Sequence, residues 1–156
     1  MAVKPIPDGY GGAIPNLAVR GADRAIEFYN QAFDAEEQYR FAAPDGTILH
    51  ADLLIGGRHF MLADEMPRMG SRGPEALGGT PVQLMLYVED VDTVFERALA
   101  AGADEVSAVR DEFWGDRAGT LKDPFGHVWM LATHVEDVPP DEMRRRGQEM
   151  LERFSG

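Results

Sequence analysis

Residues 57–63 read GRHFMLA and residues 126–132 read GHVWMLA, and the two stretches lie 69 positions apart. Both begin at a glycine and end in the same Met-Leu-Ala run. Other identities at this offset are Leu17 with Leu86, Val19 with Val88, Asp23 with Asp92, and Glu27 with Glu96. Self-similarity at a fixed offset predicts one domain made of two pseudo-symmetric modules, with a shared cleft where they meet.

The hydrophobic periodicity predicts the same element order, β-α-β-β-β, in each copy. The first copy is predicted to contain a helix over 22–33 and strands over 13–19, 35–43, 47–55 and 58–64. The second copy is predicted to contain a helix over 91–101, capped by Asp90 and ended by Gly102, and strands over 82–88, 103–110, 115–122 and 127–133. The modules span about 12–64 and 82–133, and a Gly- and Pro-rich connector over 65–81 joins them.

A C-terminal helical tail over 139–156 is predicted to follow a single domain over 1–138. Two prolines suit the first turn of this helix, and the acidic Asp141 and Glu142 suit its positive N-terminal end. Its apolar stripe either packs on its own domain or packs on a partner subunit, and the sequence leaves both options open.

Composition excludes several classes of protein. A net charge of −12 over 156 residues argues against binding to nucleic acid or to an anionic membrane surface. No apolar run approaches the length of a membrane span. The chain has no cysteine, which excludes disulfides and a catalytic thiol and is consistent with a cytoplasmic protein.

Residues 113–134, FWGDRAGTLKDPFGHVWMLATH, and residues 88–92, VEDVD, carry a family resemblance. Together with the two β-α-β-β-β modules they resemble the vicinal oxygen chelate superfamily, which includes glyoxalase I, bleomycin-binding proteins, fosfomycin-resistance enzymes and extradiol dioxygenases. The resemblance implies an α+β fold in which two tandem modules form a cupped mixed sheet around a central cavity. It also implies a homodimer, and it leaves open whether modules are exchanged between subunits.

The resemblance implies four metal-ligand positions, one on the first and one on the last strand of each module. In this sequence they fall at Ile14, Met61, Gln83 and Met130, where enzymatic members carry His, Gln or Glu. Isoleucine has no donor atom, and thioether sulfur is a poor ligand for a hard dication. We therefore expect that the family metal site is lost and that no metal or other cofactor is bound.

Strand alternation predicts which side chains line the cavity. Predicted ligand-binding residues are Ile14, Asn16, Met61, Gln83, Met85, Tyr87, Trp114, Arg117 and Met130. On the third strand of each module, alternation places Ile48, His50, Asp52 and Leu54 in the cavity, with Arg117, Gly119, Leu121 and Asp123 as their counterparts. Such a pocket is apolar with a few polar points, as small-molecule sites are, although methionines also commonly fill protein cores.

Two pairs of residues are candidates for chemistry. His50 and Asp52 share a strand face and could form a catalytic acid–base pair, bind a relocated metal, or simply hydrogen-bond within the sheet. Trp114 and Arg117 could stack on and pair with an anionic or aromatic ligand. Alternatively, Arg117 is a structural residue bound to Asp116 or Asp123.

These observations support three hypotheses of function. The first is a metal-independent protein that binds a small apolar or aromatic molecule. The second is a superfamily enzyme, a lyase, isomerase or dioxygenase, that uses His50, Asp52 or Gln83 with a non-standard metal or with none. The third is a structural or regulatory domain whose cavity is filled by its own side chains.

Overall fold

A computed structural model describes residues 3–154, and its elements follow the predicted order. The first module consists of β1 (Asn16–Val19), α1 (Ala22–Phe33), β2 (Glu36–Ala42), β3 (Ile48–Ile55) and β4 (Arg58–Asp64). The second consists of β5 (Gln83–Tyr87), α3 (Val91–Ala100), β6 (Asp104–Asp111), β7 (Asp116–Lys122) and β8 (Val128–His134). The fold is α+β, as predicted.

Each module forms its own four-stranded mixed sheet, open rather than closed into a barrel. The strand orders are β1-β4-β3-β2 and β5-β8-β7-β6, so the two sheets have equivalent topologies. In each, the first strand pairs parallel to the last, and the remaining pairs are antiparallel. Met61 lies opposite Asn16 and Met130 lies opposite Met85, 69 positions further on, which confirms the repeat along these strands.

Differences from the predicted elements are small and have local causes. β1 begins at Asn16 rather than at 13, because Pro15 has no N–H to donate and the chain before it leaves the ladder. The connector contains a 3₁₀ turn (Pro67–Met69) and one helical turn, α2 (Pro74–Leu77). Both begin at a proline, which is tolerated in the first turn of a helix.

The helices α1 and α3 begin at equivalent positions of the two modules but are capped by different groups. The Asp64 carboxylate, from β4, accepts from the backbone N–H groups of Gly21 and Ala22 at the start of α1. The equivalent residue in the second module, Thr133, accepts from the N–H of Val91. α3 also has the predicted local cap, since the Asp90 carboxylate accepts from the N–H of Thr93.

The modules share one hydrophobic core. Phe60, Leu62, Trp129 and Leu131 all pack inward, as alternation predicts. At its centre Tyr29 of α1 donates to the Asp123 carboxylate at 2.7 Å, and the indole of Trp129 donates to the same carboxylate at 3.0 Å. Burial and then the neighbouring Asp123 charge raise the pKa of Tyr29 well above its ordinary value. Asp123 therefore joins the second module to the helix of the first.

The predicted faces of β7 are wrong. Leu121 is fully buried, lies opposite Trp129 and packs in the core, whereas Thr120 lies opposite Met130 on the other face. The cause is the length of the turn between the last two strands. Four residues separate the paired Leu54 and His59 in the first module. Five separate the paired Lys122 and Val128 in the second. One extra residue reverses the alternation, so Asp52 corresponds to Thr120 and not to Leu121.

The C-terminal helix α4 (Pro140–Phe154) is held mainly by polar contacts. The Arg146 guanidinium forms a two-pronged ion pair with Glu136 at 2.8 Å, and Gly147 lies against the ring of Phe113. No residue of α4 is buried. Within residues 3–154, no helix is long and apolar enough to cross a membrane.

Candidate functional site

Each sheet has one face in the core and one open face. On the first sheet the open face carries Asn16, His50, Asp52, His59 and Met61. On the second it carries Gln83, Met85, Tyr87, Asp116 and Met130. Met85 and Tyr87 are 50% and 56% exposed, although they are among the larger side chains of the chain. The open faces therefore present apolar surface together with a few polar groups.

A buried carboxylate organises the open face of the first sheet. Asp52 is only 3% exposed. It accepts a hydrogen bond from the Tyr10 hydroxyl and contacts Nδ1 of His59 at 2.9 Å. The Tyr10 ring stacks on the His59 imidazole with centroids 3.8 Å apart. The hydrogen bond to Asp52 raises the pKa of Tyr10, so the hydroxyl remains a donor.

These contacts determine which nitrogen of His59 carries the proton. An ionised carboxylate can only accept, so Nδ1 is assigned as the donor, and in the tautomer with its one proton on Nδ1 the other nitrogen, Nε2, is an acceptor. No hydrogen bond reaches Nε2 from residues 3–154, although the same part of the chain has no buried polar side-chain atom without a partner. Nε2 is therefore accessible from outside the protein.

A cavity of about 590 Å³ lies beside His59. It is bounded by residues 9–15, by the β3–β4 turn and by β5. Three of the predicted ligand-binding residues line it: Ile14, Met85 and Tyr87. The other lining side chains include Phe60, Leu84, Leu86 and Trp129. Its volume suits a small molecule, and its lining is mostly apolar and aromatic, with His59 and Arg58 as polar residues.

The second sheet also has a buried carboxylate on its open face. Asp116 is 2% exposed and accepts from the Tyr87 hydroxyl, the Trp114 indole and Nδ1 of His134, at 2.7 to 2.9 Å. Burial by itself would raise the pKa of Asp116, but the bonds from Tyr87, His134 and Trp114 outweigh it and lower the pKa. The other His134 nitrogen, Nε2, contacts Asp137 at 2.9 Å, so both of its ring nitrogens have partners.

Arg117 lies away from the open face. Its guanidinium forms two 2.7 Å bonds with Asp92, in the first turn of α3, and a third with Asp111. The prediction that Arg117 lines the cavity assumed the same alternation in both modules. Because the alternation of β7 is reversed, that placement is wrong. We also considered that Arg117 is a structural residue bound to Asp116 or Asp123. Its observed partners are Asp92 and Asp111. The Trp114 indole also has a structural partner, because it donates a hydrogen bond to the Asp116 carboxylate.

His50 and Asp52 share the open face as predicted, but no hydrogen bond joins them. Asp52 is bonded to Tyr10 and His59, and the His50 ring lies 6.3 Å from the ring of Tyr39. The histidine partner of Asp52 is thus on the neighbouring strand. From the sequence we did not pair Asp52 with His59, and we gave no role to Tyr10.

The four family ligand positions do not fit a divalent metal. Ile14 lines the cavity, Gln83 lies on an exposed strand position, and Met61 and Met130 are half-buried. Among these four side chains only the Gln83 amide offers an oxygen donor. Over residues 3–154 there is also no group of three or more His, Cys, Asp and Glu side chains arranged to hold a metal ion.

Two tandem β-α-β-β-β modules, each with an open-faced mixed sheet, define the glyoxalase-like class of α+β proteins. The chain belongs to the Glyoxalase/Bleomycin resistance protein/Dioxygenase superfamily, whose family model matches residues 13–131. It is 50% identical to uncharacterized protein Mb0911c of Mycobacterium bovis over 133 residues, which cover 83% of this chain and 88% of that protein.

Solved structures show the same architecture. TioX from Micromonospora sp. ML1 is 34% identical with a TM-score of 0.62, covering 80% of this chain and all of that one. The fosfomycin resistance protein FosX from Listeria monocytogenes, solved with Mn(II) and sulfate, has a TM-score of 0.62 at 21% identity. That match covers 87% of this chain and 96% of the FosX chain and is a likeness of fold.

Proposed function

We propose that this protein binds a small apolar or aromatic molecule without using a metal. The observation that carries the proposal is the cavity beside His59, which combines a mostly apolar and aromatic lining with two polar residues, the oriented His59 and the charged Arg58. Sites for small molecules characteristically have this composition. We place this activity in the cytoplasm, in keeping with the cysteine-free sequence.

The side chains that line the cavity are suited to ligands of varied shape. Met85 has a flexible, polarizable thioether, and Tyr87 and Trp129 offer aromatic surface. The family ligand positions supply too few oxygen or nitrogen donors for a divalent cation, so binding in this proposal depends on apolar contact and hydrogen bonding. Resistance by sequestration and ligand transport are both consistent with such a site.

A second candidate function is metal-free acid–base catalysis, favoured by the contact between His59 and Asp52. A carboxylate that orients a histidine through Nδ1 leaves Nε2 positioned to accept a proton from a bound molecule. This pair replaces the predicted pair of His50 and Asp52. Turnover that is lost in His59→Ala and retained in His50→Ala would favour the enzyme over the binding protein.

The proposal includes a homodimer. Tyr39 and Phe41 lie on the open face of the first sheet and are 56% and 53% exposed, while Met85 and Tyr87 are similarly exposed on the second. Exposed apolar surface of this kind is typical of subunit interfaces. We place the open face of one sheet toward that of the partner. Sedimentation equilibrium should give twice the 17.2 kDa chain mass.

The first test combines metal analysis and native mass spectrometry on tag-free protein. We expect much less than one divalent ion per chain, and a mass adduct if a ligand co-purifies. About one ion per chain would overturn the metal-free proposal and redirect attention to an enzyme site.

A second test fills the cavity. Ile14→Trp should abolish the fluorescence enhancement of the neutral probe N-phenyl-1-naphthylamine. The control is Leu77→Trp, because Leu77 is 64% exposed and is not among the residues that line the cavity. Equal probe binding by the two variants would contradict the proposed site.

A further inference from the structure

We propose that His59 makes the cavity selective for aromatic molecules that carry a hydrogen-bond donor, such as a phenolic hydroxyl, which Nε2 accepts. This inference rests on the proposed binding function and specifies its ligand class. It assigns a recognition role to a residue outside the family ligand positions.

The first step of the argument is the orientation of the ring. The Asp52 carboxylate contacts Nδ1 of His59 at 2.9 and 3.1 Å, and Tyr10 stacks on the ring while donating to the same carboxylate. The His59 side chain is 14% exposed and that of Asp52 is 4% exposed. A ring held on one edge and one face presents its remaining nitrogen in a fixed direction, which reduces the entropy lost when a ligand binds.

The second step is the direction of that nitrogen. His59 and Gly9 both line the cavity. A Cβ atom placed on Gly9 would lie 3.0 Å from Nε2, so a side chain at this position would crowd the nitrogen, and glycine avoids that contact. With Nδ1 protonated, Nε2 is an acceptor, and it will prefer a ligand that donates.

The third step is the surroundings of Nε2. Apart from Arg58, the rest of the cavity is lined by glycines and by apolar and aromatic residues, with Ile14, Met85 and Trp129 among them. A ligand that filled this space without a donor would remove water from Nε2 and leave it unpaired, which costs binding free energy. A flat aromatic molecule with a hydroxyl group satisfies both requirements. Ligands that lack the hydroxyl should therefore bind more weakly although they fill the same space.

The experiment compares 2-naphthol with 2-methoxynaphthalene, which has a similar shape and no donor. Binding is measured by calorimetry to the full-length protein and to His59→Phe, which keeps an aromatic ring but removes the acceptor. We expect wild type to prefer 2-naphthol by roughly tenfold, and His59→Phe to lose this preference while still binding 2-methoxynaphthalene.

A pair of glycine variants tests the direction of Nε2 without changing His59. Gly9→Ala places a methyl group against Nε2, whereas Gly12→Ala has a similar backbone φ, +88° against +86°, and nothing within 4 Å. Backbone strain is thus matched. Only Gly9→Ala should weaken binding of 2-naphthol.

The outcomes separate this inference from the function on which it rests. If both naphthalenes bind wild type equally and His59→Phe changes neither affinity, the role of His59 is refuted and the cavity remains a binding site. If neither compound binds wild type, the proposed function of the cavity fails together with the inference.

Discussion

The two modules each bury a carboxylate on the open face and bond it to a tyrosine and a histidine, but only one leaves a histidine nitrogen open. In the first, Nδ1 of His59 contacts Asp52, and Nε2 has no hydrogen-bond partner within residues 3–154 and lies beside a cavity. In the second, His134 has Asp116 on one nitrogen and Asp137 on the other. A duplicated module can thus reuse one arrangement for ligand recognition in one copy and for structure in the other.

The partners of the two carboxylates explain this difference. Tyr10 reaches Asp52 from the N-terminal segment before β1, and that segment also bounds the cavity. Tyr87 and His134 reach Asp116 from β5 and β8 of its own sheet. We therefore expect the buried carboxylates of the second module to contribute more to stability than Asp52 does.

The largest expected effect is on the free energy of unfolding. It concerns Asp123, which lies in the turn between the last two strands of the second module. Asp123 accepts from Tyr29, Trp129 and the backbone N–H groups of Phe125 and His127. We expect Asp123→Ala to lower the free energy of unfolding by about 3–5 kcal/mol, because it leaves buried donors without partners. Urea denaturation followed by circular dichroism measures this loss.

The control for Asp123 is Asp45→Ala in the exposed β2–β3 turn, where the carboxylate accepts from the N–H of Thr47. That change should cost less than about 1 kcal/mol. Similar losses for Asp45→Ala and Asp123→Ala would contradict the structural role assigned to the second module.

A smaller effect should distinguish the two helix starts. Asp64 accepts from Gly21, Ala22 and Ile48, and α1 has no local side-chain cap. We expect Asp64→Ala to cost about 2 kcal/mol and Thr133→Val about 1 kcal/mol, because Asp90 also caps α3. Both are measured by urea denaturation. A larger loss from Thr133→Val than from Asp64→Ala would reverse this part of the comparison.

Substitutions of Arg117 test whether its ion pairs contribute to stability only, or to ligand binding as well. Its side chain is 34% exposed, so we expect Arg117→Ala to cost only about 0.5–1 kcal/mol despite the paired bonds to Asp92. Probe binding to the cavity should not change. Arg117→Lys keeps the charge but loses the two-pronged geometry, and should fall between wild type and Arg117→Ala. Weaker probe binding in Arg117→Ala would restore its predicted ligand role.

The smallest effect concerns the pH dependence of His134. Asp137 and then Asp116 raise the pKa of His134 above its ordinary value of 6.5. Its contribution to stability is therefore complete below about pH 6.5 and is lost as pH rises through the folded-state pKa. His134→Gln should lower the urea midpoint more at pH 5.5 than at pH 8.5. In an Asp137→Asn background this pH difference should shrink. An unchanged difference would show that the ion pair between His134 and Asp137 does not cause it.

Much of the fold could be predicted because periodicity reports which faces are buried. Helix α1 was predicted without error in its bounds, and the inward packing of Phe60 and Trp129 followed from alternation. The faces of β7 could not be predicted from a fixed offset, because the length of the β7–β8 turn depends on how Asp123 is bonded in three dimensions. Local pattern does not contain that information.

The site was less predictable than the fold. Met85 and Tyr87 were predicted to line a cavity because they alternate with core residues, and Ile14 because it falls at a family ligand position; all three border the cavity beside His59. The pair of Asp52 and His59 had an available signal, since a two-residue Gly56-Gly57 turn makes them diagonal neighbours across a hairpin. Tyr10 had none, because its segment has no periodicity and reaches Asp52 only through the tertiary fold.

The extra residue in the β7–β8 turn also has an evolutionary meaning. Gain or loss of a single codon in such a turn shifts a whole strand by one position against its neighbour and exchanges the side chains on its two faces. A gene that encodes duplicated modules could thus present a new set of residues on one open face without altering any residue of the strand. Comparisons between repeats of this kind need an alignment that permits a gap at each hairpin.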